Sequence, residues 1–149
     1  MVDCGSTSTE AIDYLSQNNI RSIIIDHHEI NHPYPRSDFI INPKKDPIKK
    51  ENSLLCATAL TYFFIDILIK KTKSNFKLSD FLIYVLLATI CDVMPLRKIN
   101  KIISLNTIDD FNLKKNKALC LIFEQYNIKK KITVEDLGFL IGPIINSGG

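Results

Sequence analysis

At 149 residues the chain is about one domain, long enough to bury a single core. With 46% hydrophobic and 23% charged residues, it has the composition of an ordinary soluble globular protein. The net charge of +3 is too small to argue for a nucleic-acid partner, and the runs Lys44-Lys45, Lys49-Lys50 and Lys129–Lys131 read as solvated loop charges.

The chain opens on what reads as the end of a strand, Val2-Asp3, followed by Cys4-Gly5 and helix-start chemistry. Thr7 and Glu10 fit a capping box, Ala11, Ile12 and Leu15 recur at helical spacing, and Asn18-Asn19 ends the helix. Arg21–Ile25 is a short β-branched run, the pattern of a buried parallel strand, and it ends at Asp26-His27-His28. Residues 1–28 thus read as strand end, helix, strand, a βαβ unit. A Pro-containing loop follows, then a brief strand Phe39–Asn42 stopped by Pro43, then a charged connection over 44–53. Helical periodicity dominates afterwards, over Leu54–Thr72, Leu78–Cys91, Lys98–Phe111, Lys114–Tyr126 and Val134–Ile141. Ser74 or Ser79 is the expected cap of the second of these helices, and Thr133 with Asp136 of the last. Gly142–Gly149 carries a loop signal. Both ends look cut, because a strand reduced to its tip and a Gly-Gly stop leave the termini untied.

Cys4, Cys56, Cys91 and Cys120 form no CxxC pair, and each sits in or beside an apolar run. They read as buried reduced thiols in a cytoplasmic protein. No charged leader with an apolar core opens the chain, and Asp66 and Asp92 interrupt the two most apolar stretches below the roughly 20 residues a bilayer needs.

Asp26-His27-His28 carries the strongest chemical signal. Ligands of open α/β sheets bind beyond the carboxyl ends of the strands, where this triplet offers one carboxylate and two imidazoles. Asp3 ends the preceding strand of the same unit. Neighbouring parallel strands lie about 4.8 Å apart, or about 10 Å with one between, so Asp3 and His27 can converge on one ion. Carboxylate and imidazole without thiolate suit Mn or Mg better than structural Zn. Asp3 taken alone serves equally well as a helix cap. Asp92 follows an apolar helix and precedes the helix-stopping Pro95, a setting for a metal ligand or for the cap of the next helix. His32, in a Pro-rich loop, reads as a surface residue.

Taken together these stretches resemble the DHH-family phosphoesterases, and within them the single-stranded-DNA-specific exonucleases. Val2-Asp3-Cys4-Gly5 is similar to the family's second motif, and Asp26-His27-His28 to its signature third motif. Asn42-Pro43 is similar to the segment after the loop. Ala88–Leu96 resembles the fourth motif, with its Asp-Val-x-Pro-Leu ending, and Gly142–Gly149 a terminal Gly-Pro segment. The resemblance implies an α/β fold, with a partial parallel DHH-domain sheet over 1–43 whose first strand is missing. A mainly helical portion over 54–141 would carry the fourth motif, and 142–149 would be a truncated loop. It implies that Asp3 bridges two divalent ions, Mn or Mg, that His27 and Asp92 are ligands of one of them, and that His28 faces the scissile phosphate. Asp26 would orient the imidazoles. Asn146 and Gly148 would contact substrate phosphate. The reaction implied is two-metal hydrolysis of single-stranded DNA from its 5′ end.

The departures matter as much. The family's first motif, Asp-x-Asp, would lie upstream of Asp3, and its second domain downstream of Gly149. Ile144 stands where these exonucleases carry an arginine, which removes a bidentate phosphate contact. The expectation is therefore at most one well-formed metal site and little nuclease activity in these 149 residues by themselves, with a separately encoded N-terminal piece as a conceivable complement and no membrane association. A non-catalytic remnant or binding module, and a small DHH phosphoesterase acting on short oligonucleotides or nucleotide diesters, are the alternatives.

Overall fold

The β-branched run forms strand β1 over Ile23–Ile25, where Ile24 and Ile25 are buried. Strand β2, Phe39–Ile41, pairs with it in parallel, Ile23 opposite Phe39 and Ile25 opposite Ile41. On the other side of β1, Val2 makes a parallel bridge to Ile25. The Asp3 N–H donates to the Ile25 carbonyl at 2.9 Å, and the Ile25 N–H to the Met1 carbonyl at 3.0 Å. β1 is thus flanked on both edges, and the chain leaves all three segments at the same end of the sheet. The computed structural model describes residues 1–45 and 53–148, so Lys49-Lys50, most of the charged connection and Gly149 lie outside the described residues.

Helix α1, Thr9–Gln17, joins the bridge to β1 and buries Ile12 completely. Its start differs from expectation. Ser8 is the N-cap, without a side-chain cap bond, and the Thr7–Glu10 box does not form. The physical reason is tertiary: the Ser6 N–H is committed to the Asp26 carboxylate, 20 residues away, and the Ser8 N–H to the Gly5 carbonyl. The end is as read, with Asn18 as C-cap and Asn19 at φ 56°. Helix α2, Ala57–Thr72, packs against β1 and buries Ala57 and Ala59.

The chain divides into two compact units, Met1–Leu78 and Ser79–Gly149. A 3-10 turn over Leu78–Phe81 begins at the last residue of the first unit and precedes α3, Leu82–Cys91, in the second. Phe81 therefore occupies the N-cap position, not Ser74 or Ser79, and the Ser74 hydroxyl instead accepts from the Phe76 N–H at 3.3 Å. Helix α4, Ile99–Asp110, packs on α3 around Ile83, Leu86 and Ile103. Helix α5, Lys117–Gln125, is capped by the Asn116 side chain. Thr133 and Asp136 form the expected capping box at the start of α6, Val134–Asp136.

Helix over 134–141 is as read, but beyond Ile141 the expectation of a loop fails. A π-helical stretch, Leu137–Ile141, runs straight into helix α7, Gly142–Ser147. An α-helical continuation would set the Pro143 ring against the preceding turn's carbonyl. The wider i to i+5 turn relieves that crowding, and the Gly142 N–H bonds back to the Leu137 carbonyl. Gly142 is needed there: a Cβ would lie 2.8 Å from Cys91 Sγ and 3.1 Å from the Leu137 carbonyl.

The four cysteines are free, but only Cys56 is buried; Cys4 and Cys91 are exposed and Cys120 is half-buried. Proximity to an apolar run did not determine which side of its element each thiol takes. The described lysine runs make local surface pairs, Lys44 with Glu29, Lys130 with Asp136 and Lys131 with Asp109. Among the described residues no helix is long and apolar enough to cross a membrane.

Candidate metal centre

Asp26 ends β1 and is 1% exposed. One carboxylate oxygen accepts the Ser6 N–H at 3.0 Å. The other accepts the His27 N–H at 2.8 Å and lies 2.7 Å from His28 Nδ1. Burial by itself would raise this acid, but hydrogen bonds from Ser6 and His28 outweigh it and hold the carboxyl well below the usual carboxylate range. An ionised carboxylate only accepts, so His28 Nδ1 must carry its proton toward Asp26. Nε2 is then the outward nitrogen of a ring that is 60% exposed.

Asp3 follows the Val2 bridge at φ 62°, a left-handed conformation that Asp tolerates better than most residues. Its carboxylate lies 3.3 Å from His27 Nε2. The His27 and His28 rings meet edge-on with centroids 4.7 Å apart. One ligand atom each from Asp3, His27 and His28 lie within 4.8 Å of one another. The set offers carboxylate oxygen and imidazole nitrogen without thiolate, a chemistry that fits Mn or Mg. Sequence reading anticipated the meeting of Asp3 and His27; that His28 joins them is an addition.

Two supporting residues were given no role in that reading, although Asn42-Pro43 stood among the family-like segments. Asn42 is buried, and its amide donates to Ser6 Oγ at 2.8 Å and to the His28 carbonyl at 2.9 Å. It thereby ties the end of β2 to both loops of the site. Ser6 is the partner of both Asp26 and Asn42. The only sequence signal was a small polar residue after Gly5 and an Asn before Pro43. Gly5 sits at φ 113°, and a Cβ there would press on the Ile24 side chain at 3.2 Å.

Asp92 lies in the second unit as the exposed C-cap of α3, its N–H bonded to the Ala88 carbonyl at 2.9 Å. Asn146 sits on α7 and, with Cys91, Val93 and Gly142, lines a cleft of about 480 Å³; Gly148 is the C-cap of α7. The fourth-motif and terminal segments therefore share a cleft within that unit. His32 stands apart from the metal-ligand set, its ring stacked on Tyr34 at 3.8 Å.

The DHH family, N-terminal domain, matches residues 1–90, the stretch that holds Asp3, Asp26, His27 and His28, and the chain belongs to that family. Its relatives include the single-stranded-DNA-specific exonuclease RecJ of Haemophilus influenzae, 28% identical over 160 residues, and that of Escherichia coli, 25% identical. Each alignment takes in 99% of this chain and 28% of the relative, so the chain spans little more than a quarter of the curated proteins it matches. Two solved structures share the fold. The first, RecJ in complex with Mn2+ from Thermus thermophilus, has a TM-score of 0.82 at 21% identity, covering 99% of this chain and 22% of that one. The second, exonuclease RecJ bound to manganese, has a TM-score of 0.81 at 22% identity, covering 98% of this chain and 36% of that one.

Proposed function

We propose that these residues are the segment of a RecJ-like, single-stranded-DNA-specific 5′–3′ exonuclease that carries the strand-end metal site. The observation that carries the reading is the convergence of Asp3, His27 and His28 on one point, in a chain of the DHH family. In this reading Asp3 and His27 hold a divalent cation, Mn or Mg. When bound, that cation and a second one supply the Lewis acidity for in-line displacement at a phosphodiester. His28 presents Nε2 to the scissile phosphate, and Asp26 fixes its tautomer through Nδ1. Asn146 and Gly148 belong to the segment that contacts substrate phosphate. The family's Asp-x-Asp motif, whether carried upstream or on a separate piece, would supply ligands to both cations. Manganese in two RecJ structures of the same fold supports the choice of metal.

Titration calorimetry with MnCl2 tests the site. Binding is expected to fall by about ten-fold or more in His27→Ala and in Asp3→Ala. Binding indifferent to both substitutions would remove the assignment. On 5′-ended single-stranded DNA, the 149-residue polypeptide is expected to hydrolyse poorly and to gain activity when a polypeptide carrying Asp-x-Asp is added. Vigorous hydrolysis by the 149 residues themselves would overturn that division of ligands.

A further inference from the structure

His28 is held from two directions by one side chain. Asn42, just beyond β2, is 7% exposed. Its amide gives one N–H to Ser6 Oγ at 2.8 Å and the other to the His28 carbonyl at 2.9 Å. Its Oδ1 accepts the Lys44 N–H at 2.9 Å, so the amide can lie only one way round. A hydroxyl that accepts from an amide keeps its own proton to donate. Ser6 is 3% exposed, and its side chain hydrogen-bonds the Asp26 carboxyl beside the backbone bond at 3.0 Å. The donors therefore run in one direction, from Asn42 to Ser6 to Asp26. Asp26 stays an ionised acceptor, and His28 Nδ1 turns its proton toward it at 2.7 Å.

Both Asn42 N–H groups are spent on Ser6 and His28, not on Asp3 or His27. We infer that Asn42 is a positioning residue for His28: it anchors the main chain of His28 directly and, through Ser6 and Asp26, fixes which ring nitrogen faces outward. Hydrogen bonds in a chain reinforce one another away from water, and this chain is buried at Asn42, Ser6 and Asp26. An amide that served only to tie strand to loop would leave the proton position on the His28 ring indifferent to its loss. What the outward Nε2 does at a scissile phosphate rests on the exonuclease reading, while its orientation by Asn42 is a property of the metal-free chain.

The test is nitrogen NMR of the full, metal-free chain labelled at histidine, which reads where the proton sits on each neutral ring, with MnCl2 calorimetry and Tm on the same samples. Wild-type His28 is expected to favour Nδ1–H by about ten-fold or more, and Asn42→Ala to lower that preference to about three-fold or less. His32, stacked on Tyr34, is the internal reference and keeps its signal. Asn42→Asp does not rescue, because a carboxylate has no N–H for the His28 carbonyl and competes with Asp26 for the Ser6 hydroxyl. Ser6→Ala keeps the carbonyl bond and is expected to lose part of the preference; with Asn42→Asp it carries the test if Asn42→Ala does not fold. Mn2+ affinity is expected to fall about two-fold in Asn42→Ala, against about ten-fold in His27→Ala. A proton position unchanged in the Asn42 and Ser6 variants, with only the Tm lowered, would overturn the inference. So would a loss of Mn2+ affinity in Asn42→Ala as large as in His27→Ala, since Asn42 would then hold the whole site and not His28. Failure of the exonuclease reading shows differently, as Mn2+ binding indifferent to His27→Ala, and leaves the metal-free spectra to decide the role of Asn42.

Discussion

Where the chain leaves β1, backbone N–H groups run out of strand partners, and side chains take their place. The Asp26 carboxylate receives Ser6 and His27, and the Asn42 amide holds the His28 carbonyl. In residues 137–147 of the second unit the backbone meets an equally awkward demand, a proline inside a helix, by changing its own hydrogen-bond period. The difference teaches which substitutions each region tolerates. Around β1 the polar side chains are structural, so replacing one disturbs several loops together. In the π–α segment the constraint is room: Leu137 and Ile141 are fully buried, and Gly142 has no space for a Cβ.

The sharpest way to break this comparison is Asp26→Ala, which strips a buried acceptor from Ser6, His27 and His28. A loss of about 3 kcal/mol is expected by chemical denaturation, along with at least ten-fold weaker Mn2+ binding. A loss under about 1 kcal/mol would mean that water replaces the carboxylate and that the loops hold themselves. Gly5→Ala comes next, at about 2 kcal/mol, because it combines a forbidden φ with pressure on Ile24. Thr133→Ala removes the capping box of α6 and is expected to cost about 1 kcal/mol.

The smallest effect is one of pH. Burial would raise the Asp136 acid, but Lys130 and Thr133 outweigh it and hold the carboxyl below its ordinary value. A depressed folded value gives stability that is fully present above the unfolded carboxylate pKa, about 4, and is lost as pH falls through the folded value. Unfolding curves in acid should therefore be flatter for Asp136→Asn than for the wild-type chain. Identical slopes would show that the pair with Lys130 does not contribute.

The regular elements were legible because their signals are local. The β-branched Ile23–Ile25, the periodicity of α2 to α5 and the Thr133–Asp136 box depend on neighbours within a few residues. The strand-end position of the Asp-His-His triplet followed from the same reasoning, and with it the meeting of Asp3 and His27. The start of α1 was not legible, since its backbone answers to Asp26 from the next strand. Nor was the role of Asn42, whose partners are Ser6 and His28, 36 and 14 residues away. Gly142-Pro143 misled for a different reason: a turn signal assumes that a helix cannot absorb proline, and a π turn ahead of it can.

That π turn has a rotational consequence. Each residue of an α-helix advances about 100° around the axis, and a π stretch slips one residue into the count. Everything after Ile141, including Asn146, is therefore turned by that angle from where a uniform α-helix continuing from α6 would place it. Deleting a single residue between Leu137 and Ile141 would return the helix to uniform winding and swing Asn146 away from the cleft wall it now forms. The facing of this last segment depends on that one extra residue.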